Sequence, residues 1–119
     1  QSTDPAATIA HLGLAKKAPI CERALDIFVS VYGAESGNLA LRFLARGGVY
    51  ISGGIAAKII PKMLEPAFMR AFVDKGRMRQ LLETIPVKII TNDRVGLMGA
   101  ARYAWFRQNS TRAALSIPV

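Results

Sequence analysis

A chain of 119 residues with 16 Lys and Arg against 8 Asp and Glu, a formal charge of +8, is one domain or part of one. Its 51% hydrophobic content is high for a free-standing domain this small, so either the core is generous or some apolar surface belongs against something further. A single cysteine, Cys21, excludes an internal disulfide and a cysteine-based metal cluster, and it fits a reducing compartment.

Asp4-Pro5 reads as a helix start, an acceptor at the cap and proline in the first turn. Ile9 and Leu12, with Ala6 and Leu14, form a short apolar face that ends near Gly13 to Lys17. His11 lies within it, with no second His, Cys or carboxylate at ligand spacing, so it reads as a surface or packing residue. Pro19 opens the longest helical pattern: Leu25, Phe28, Val31 and Tyr32 recur at three and four residues, as do Leu39, Phe43 and Leu44. Gly33, Ser36 and Gly37 either break this helix or let it pack closely on a neighbour, each glycine costing about 1 kcal/mol relative to alanine. Arg42 and Arg46 suit the last turn, and Gly47-Gly48 the C-cap.

The centre of the chain is Gly47-Gly48-Val49-Tyr50-Ile51-Ser52-Gly53-Gly54-Ile55. Val, Tyr and Ile between glycine pairs predict a short buried strand, and Ile55 to Met63 a helix after it. Gly53 and Gly54 allow a sharp turn and the close approach of a flat ligand to bare backbone. Amides at the start of the next helix would face whatever sits above the strand end, the usual ligand position in open α/β sheets. Pro61 predicts a short or bent helix. Glu65-Pro66 starts another, with Phe68, Met69, Phe72 and Val73 as core, and Asp74-Lys75-Gly76 closes it. Met78, Leu81, Leu82 and Ile85 mark a further short helix, and Pro86 to Ile90 a second strand. Thr91-Asn92-Asp93 caps a final helix carrying Val95, Leu97, Met98, Ala101, Tyr103, Trp105 and Phe106. Gly96 and Gly99 let it lie close to a sheet or ligand, and Asp93 reads as the cap instead of a catalytic base. Asn109 to Val119 reads as a loose tail or a junction.

Two strands separated by helices predict a right-handed crossover and a parallel pair. Parallel sheets are normally covered on both faces and need more strands, so the chain reads as the C-terminal part of a larger α/β domain. The start at Gln1 without Met also reads as a processed or excised piece. No apolar run approaches the roughly 20 residues that span a bilayer, and the polar N-terminus has no signal-peptide pattern. Lys and Arg are spread from Lys16 to Arg112, and the densest run, Arg70 to Arg79, contains Asp74. Solvated helix faces explain this better than a nucleic-acid interface.

Phosphate-binding motifs fail at defined positions. Gly48 and Gly53 have P-loop spacing, but Gly54 stands where lysine is required. In the dinucleotide fingerprint, Gly53 and Ile55 fall where two of the three glycines belong and Lys58 replaces the third. No Ser-His-Asp, Cys-His or metal constellation is present in the sequence pattern. The residues offer a place for a ligand and no chemistry.

The junction Val49-Tyr50-Ile51-Ser52-Gly53-Gly54-Ile55 resembles the adenosine motif of the actin/hexokinase/Hsp70 ATPase superfamily. Gly37-Asn38-Leu39-Ala40-Leu41, then Phe68 through Asp74-Lys75-Gly76-Arg77-Met78, then Ile85-Pro86-Val87, are similar to the C-terminal third of bacterial glucokinases. Val95-Gly96-Leu97-Met98-Gly99-Ala100 fits the start of that family's last helix, so the resemblance runs from about Pro5 to Arg107. It implies an α/β fold: the C-terminal part of a ribonuclease-H-like, actin-like ATPase domain, helix-rich with a short parallel sheet. Residues 1–109 would belong to the large domain of a cytoplasmic glucokinase, with 110–119 as tail or junction. The activity implied is ATP-dependent, Mg2+-assisted phosphorylation of glucose to glucose 6-phosphate, often in a homodimer. Gly53, Gly54 and Ile55 would line the adenosine side of the ATP site with Ser52 close by, and Lys58 is a weaker contact. The phosphate loop, the base aspartate and the glucose-binding groups would lie upstream, so no catalytic and no metal-binding residue is assigned. The alternatives are a sugar-responsive regulator of the same superfamily, a basic nucleic-acid-binding module, and an interaction piece with an apolar dimer face. Nucleic acid is expected only where a C-terminal regulator domain is fused.

Overall fold

The computed structural model describes residues 4–115. Helix α1 (Pro5–Leu14) starts where Asp4 Oδ1 accepts the amides of Ala6 and Ala7 at 3.0 and 3.4 Å, with Pro5 in the first turn. Helix α2 (Pro19–Arg42) also opens on proline. Both end in the same double hydrogen bond: Lys17 N to Leu12 O with Lys16 N to Gly13 O, and Ala45 N to Ala40 O with Leu44 N to Leu41 O. The left-handed residues are Lys16 (φ 53°) and Leu44 (φ 47°), not glycines. Gly47-Gly48 is therefore not the cap of α2. The helix closes earlier at Leu44, and Gly48, at φ 126°, serves the turn into the first strand.

The 24 residues of α2 run unbroken through Gly33, Ser36 and Gly37. The Ser36 hydroxyl donates to Tyr32 O at 2.8 Å, which satisfies it within the helix. The glycines face α5 (Pro66–Val73). A Cβ on Gly33 would lie 2.3 Å from Phe68 O, and one on Gly37 the same distance from Phe72 O. Four-residue steps on both helices thus bring backbone against backbone, one ridge seated in the other's groove. Phe68 and Phe72 stack within that contact, and Tyr32 meets Phe68 edge-on.

The buried face of α2 is Leu25, Val29, Gly33, Ser36, Gly37 and Ala40. This corrects the expected stripe, since Val31 and Phe43 remain 62% and 73% exposed, and Phe28 and Leu39 are also on the outside. With apolar residues on both sides, α2 has the character of an interior helix. The core it does build joins Leu25 and Val29 to Phe68, Phe72, Leu82 and Ile85, with Ile51, Ile59 and Met63 at one end.

The strands β1 (Val49–Ile51) and β2 (Val87–Ile89) pair in parallel, Val49 against Val87, Tyr50 against Lys88 and Ile51 against Ile89. Ile51 faces the core, and Tyr50 and Lys88 share the opposite, exposed face with the ammonium 6.0 Å from the ring centre. Between the strands, α3 (Gly54–Lys58) and α4 (Ile60–Met63) are separated at Ile59, as Pro61 in the first turn of α4 requires. A 3-10 turn (Gly76–Met78) leads into α6 (Arg79–Glu83), whose Leu82 is buried.

Just ahead of helix α7 (Val95–Leu115), Asn92 Oδ1 accepts the Arg94 amide at 2.9 Å, so Asn92 supplies the side-chain hydrogen bond that was expected of Asp93. The helix continues past Asn109, where a loose tail was expected; residues 116–119 of that tail lie outside the described residues. Leu97, Tyr103, Trp105 and Phe106 on it are exposed. The radius of gyration is 19.4 Å, against about 13–14 Å for a compact domain of this length, and the smallest extent is 16 Å. The chain forms a thin layer, not a closed body.

Gly33→Ala should destabilise the fold by about 2 kcal/mol despite alanine's better helix propensity, because the facing atom is a carbonyl that cannot move aside. Gly47→Ala, whose Cβ would meet nothing within 4 Å, should be neutral or stabilising by up to about 1 kcal/mol. Urea unfolding midpoints of the two variants check the difference in sign.

Candidate nucleotide site

β1 delivers the chain to the surface at Ser52, which is exposed. Gly53 follows at φ 116°, ψ 161°, a conformation open essentially to glycine alone. Gly54 begins α3, and neither glycine would bring a Cβ within 4 Å of any atom. The two residues therefore present bare main chain to open space. Ile55 is 63% exposed beside them, and Lys58 is exposed one turn further on. At five residues and without a side-chain cap, α3 is too short for its dipole to attract an anion strongly. The junction suits a flat, uncharged group better than a phosphate.

Next to the junction lies a concavity of about 400 Å³ between α1, α2 and α3. Ala7 and Ile9, Ala24 and Phe28, and Ile55 are among its walls, a mostly apolar lining with two charged residues, Asp4 and Lys58. That combination fits a planar heterocycle. Of the residues singled out from sequence, the structure brings Ile55 and Lys58 into this hollow. Ser52, Gly53 and Gly54 border the same turn outside its walls. The contributions of α1 and α2 were not visible in the sequence, where Ile9 and Phe28 look like ordinary core residues.

A second feature escaped sequence reading. Lys62 on α4 is buried, its side chain 6% exposed. Its Nζ donates to Asp26 at 2.6 Å and Glu65 at 3.0 Å, with Glu22 at 3.8 Å. Glu65 at i+3 could have been read from the sequence; Asp26 and Glu22 arrive from α2. The hydrogen bond to Asp26 is the main cause holding the Lys62 pKa above its ordinary 10.5; burial pulls it down, and Glu65 raises it further. Among the described residues, no group of three His, Cys, Asp or Glu side chains is arranged to hold a metal ion. His11 is exposed and apart from the hollow.

The sequence profile of the glucokinase family matches residues 1–107. The chain belongs to the glucokinase family. It is 52% identical over 101 residues to a glucokinase of Nostoc punctiforme and 48% identical over 101 residues to one of Synechocystis sp., covering 85% of this chain in both cases. Those alignments take in 30% and 28% of the two relatives, so the chain spans under a third of their length. Among solved structures, a glucokinase from an Antarctic psychrotroph superposes with a TM-score of 0.74 at 35% identity, over 85% of this chain and 31% of that one. No helix among the described residues is long and apolar enough to cross a membrane.

A group whose folded pKa is raised contributes stability fully below its unfolded value and loses it as pH climbs through the folded one. Lys62→Met should cost about 1–3 kcal/mol at pH 7, less than a fully buried pair because the carboxylates stay partly wet. The gap between wild type and variant should hold up to about pH 10.5 and narrow above it, which unfolding midpoints measured across that range would show.

Proposed function

We propose that this chain is the C-terminal part of an ATP-dependent glucokinase and supplies the adenosine side of its nucleotide site. The observation that carries the reading is the exposed Gly53-Gly54 turn, with open space above both Cα atoms, beside the apolar hollow walled by Ile55, Phe28 and Ile9. The adenine would enter the hollow, and the ribose would lie against the main chain of Gly53 and Gly54, with Ser52 near it and Lys58 at the rim. Phosphoryl transfer rests on positioning and charge stabilisation, and this part of the protein would contribute positioning. No residue here is assigned a role in moving the proton of the sugar hydroxyl. The described residues offer no donor set for Mg2+, so no step is routed through that ion.

In this reading the fold around the chain is ribonuclease-H-like, as in the actin-like ATPases. Residues 1–109 belong to the large domain and 110–119 form a junction, the described part of which is helical. Glucose and ATP are the substrates, the compartment is the cytoplasm, and the assembly is a homodimer. That the relatives are named glucokinases supports the kinase over a sugar-responsive regulator or a nucleic-acid-binding module.

Gly54→Val tests the site cleanly, because its Cβ would meet nothing in this chain and should leave the fold intact. In the longer protein carrying this segment, it should weaken ATP binding about tenfold, roughly 1.4 kcal/mol, while glucose affinity stays within about twofold. Unchanged ATP affinity contradicts the assignment. The 119-residue chain alone should show no kinase turnover; measurable glucose 6-phosphate from it would mean that the groups assigned elsewhere are present here.

A further inference from the structure

Lys62 stands behind the hollow and not in it. It follows Ile59 by three residues, with its amide donating to Ile59 O at 2.9 Å, and Ile59 lines the hollow from the α3 side. Asp26 lies on α2 between Ala24 and Phe28, which line it from the other side. The ammonium at 2.6 Å from Asp26 therefore joins the two walls from behind.

The α3–α4 segment needs such a tie. Its helices have five and four residues, and the break at Ile59 (φ −110°, ψ 21°) interrupts the hydrogen-bond ladder between them. Helices this short have little rigidity of their own. Ala56, Ile59 and Met63 bury apolar surface, but such contacts are non-directional and tolerate sliding. Charge-assisted hydrogen bonds to Asp26 on α2 and to Glu65 at the start of α5, with Glu22 as a longer ion pair at 3.8 Å, fix one arrangement.

We infer that Lys62 is a positioning residue for the nucleotide site: by tying Asp26 of α2 to the α3–α4 segment, it sets the width of the hollow between Phe28 and Ile55. The inference rests on the nucleotide reading above. Its effect is on the affinity for ATP, since Lys62 itself reaches no substrate.

The test is steady-state kinetics on the longer protein carrying this segment, with Lys62→Met, Lys62→Arg, Asp26→Ala and Gly54→Val. Lys62→Met and Asp26→Ala should raise KM for ATP about fivefold while kcat and KM for glucose stay within about twofold, and Lys62→Arg should return KM for ATP to near wild type. A purely structural role would lower the melting temperature and leave KM for ATP alone; that result, or an equal effect on both substrates, overturns the inference. Where Lys62→Met does not fold, Asp26→Ala, at a side chain 39% exposed, reads the same coupling. If Gly54→Val raises KM for ATP and the Lys62 and Asp26 variants do not, the positioning role alone falls. If none of them changes it, the nucleotide site itself is misplaced and the inference falls with it.

Discussion

The structure depends on the backbone contact between α2 and α5. Gly33 and Gly37 remove the side chains that would hold the helices apart, and the carbonyls of Phe68 and Phe72 occupy that space. Each glycine weakens α2 as an isolated helix by about 1 kcal/mol, yet the close approach allows the Phe68–Phe72 stack and the core around it. With α5 fixed on α2, the preceding α4 is held where Lys62 can reach Asp26. The glycine turn and the hollow then follow at a set distance from Phe28. Affinity for a nucleotide would thus be prepared by packing some way from the place where it is exercised.

The apolar surface left uncovered is consistent with the share of the family that this chain represents. Ile27 and Val31 on α2, Phe43 just after it, Tyr50 on the second face of the sheet, and Leu97 and Trp105 on α7 lie on surfaces that this chain does not cover. Parallel strands are ordinarily covered on both faces, and here only the face carrying Ile51 is. A thin layer with apolar residues on its outer sides is in keeping with a chain that covers 31% of the solved glucokinase it superposes on.

Local chemistry was legible in the sequence wherever it alone decides the outcome. Asp4-Pro5 caps α1, Pro61 divides α3 from α4, and the two short strands pair in parallel. What was not legible depended on partners distant in sequence. The buried face of α2 could not be chosen from hydrophobicity because large apolar residues lie on more than one side of it, and only α5 reveals that its small residues face inward. Leu44 and Lys16 take the left-handed cap positions that sequence reading reserves for glycine, because the paired hydrogen bonds outweigh the local strain. At the site, the glycine turn was readable from Gly53-Gly54, whereas the walls from α1 and α2 and the Lys62 cluster exist only once the helices are assembled.

The central claim is that the adenosine of a nucleotide lies against the turn between β1 and α3 and in the hollow beside it. Photolabelling of the longer protein with 8-azido-ATP, followed by trypsin and mass mapping, tests it directly. Cleavage after Arg46 and Lys58 isolates residues 47–58, which contain the whole turn. The account predicts ATP-protected label in that peptide. Label protected by ATP but confined to peptides outside 47–58, the α1 segment and the α2 segment that carries Ala24 and Phe28 would contradict it.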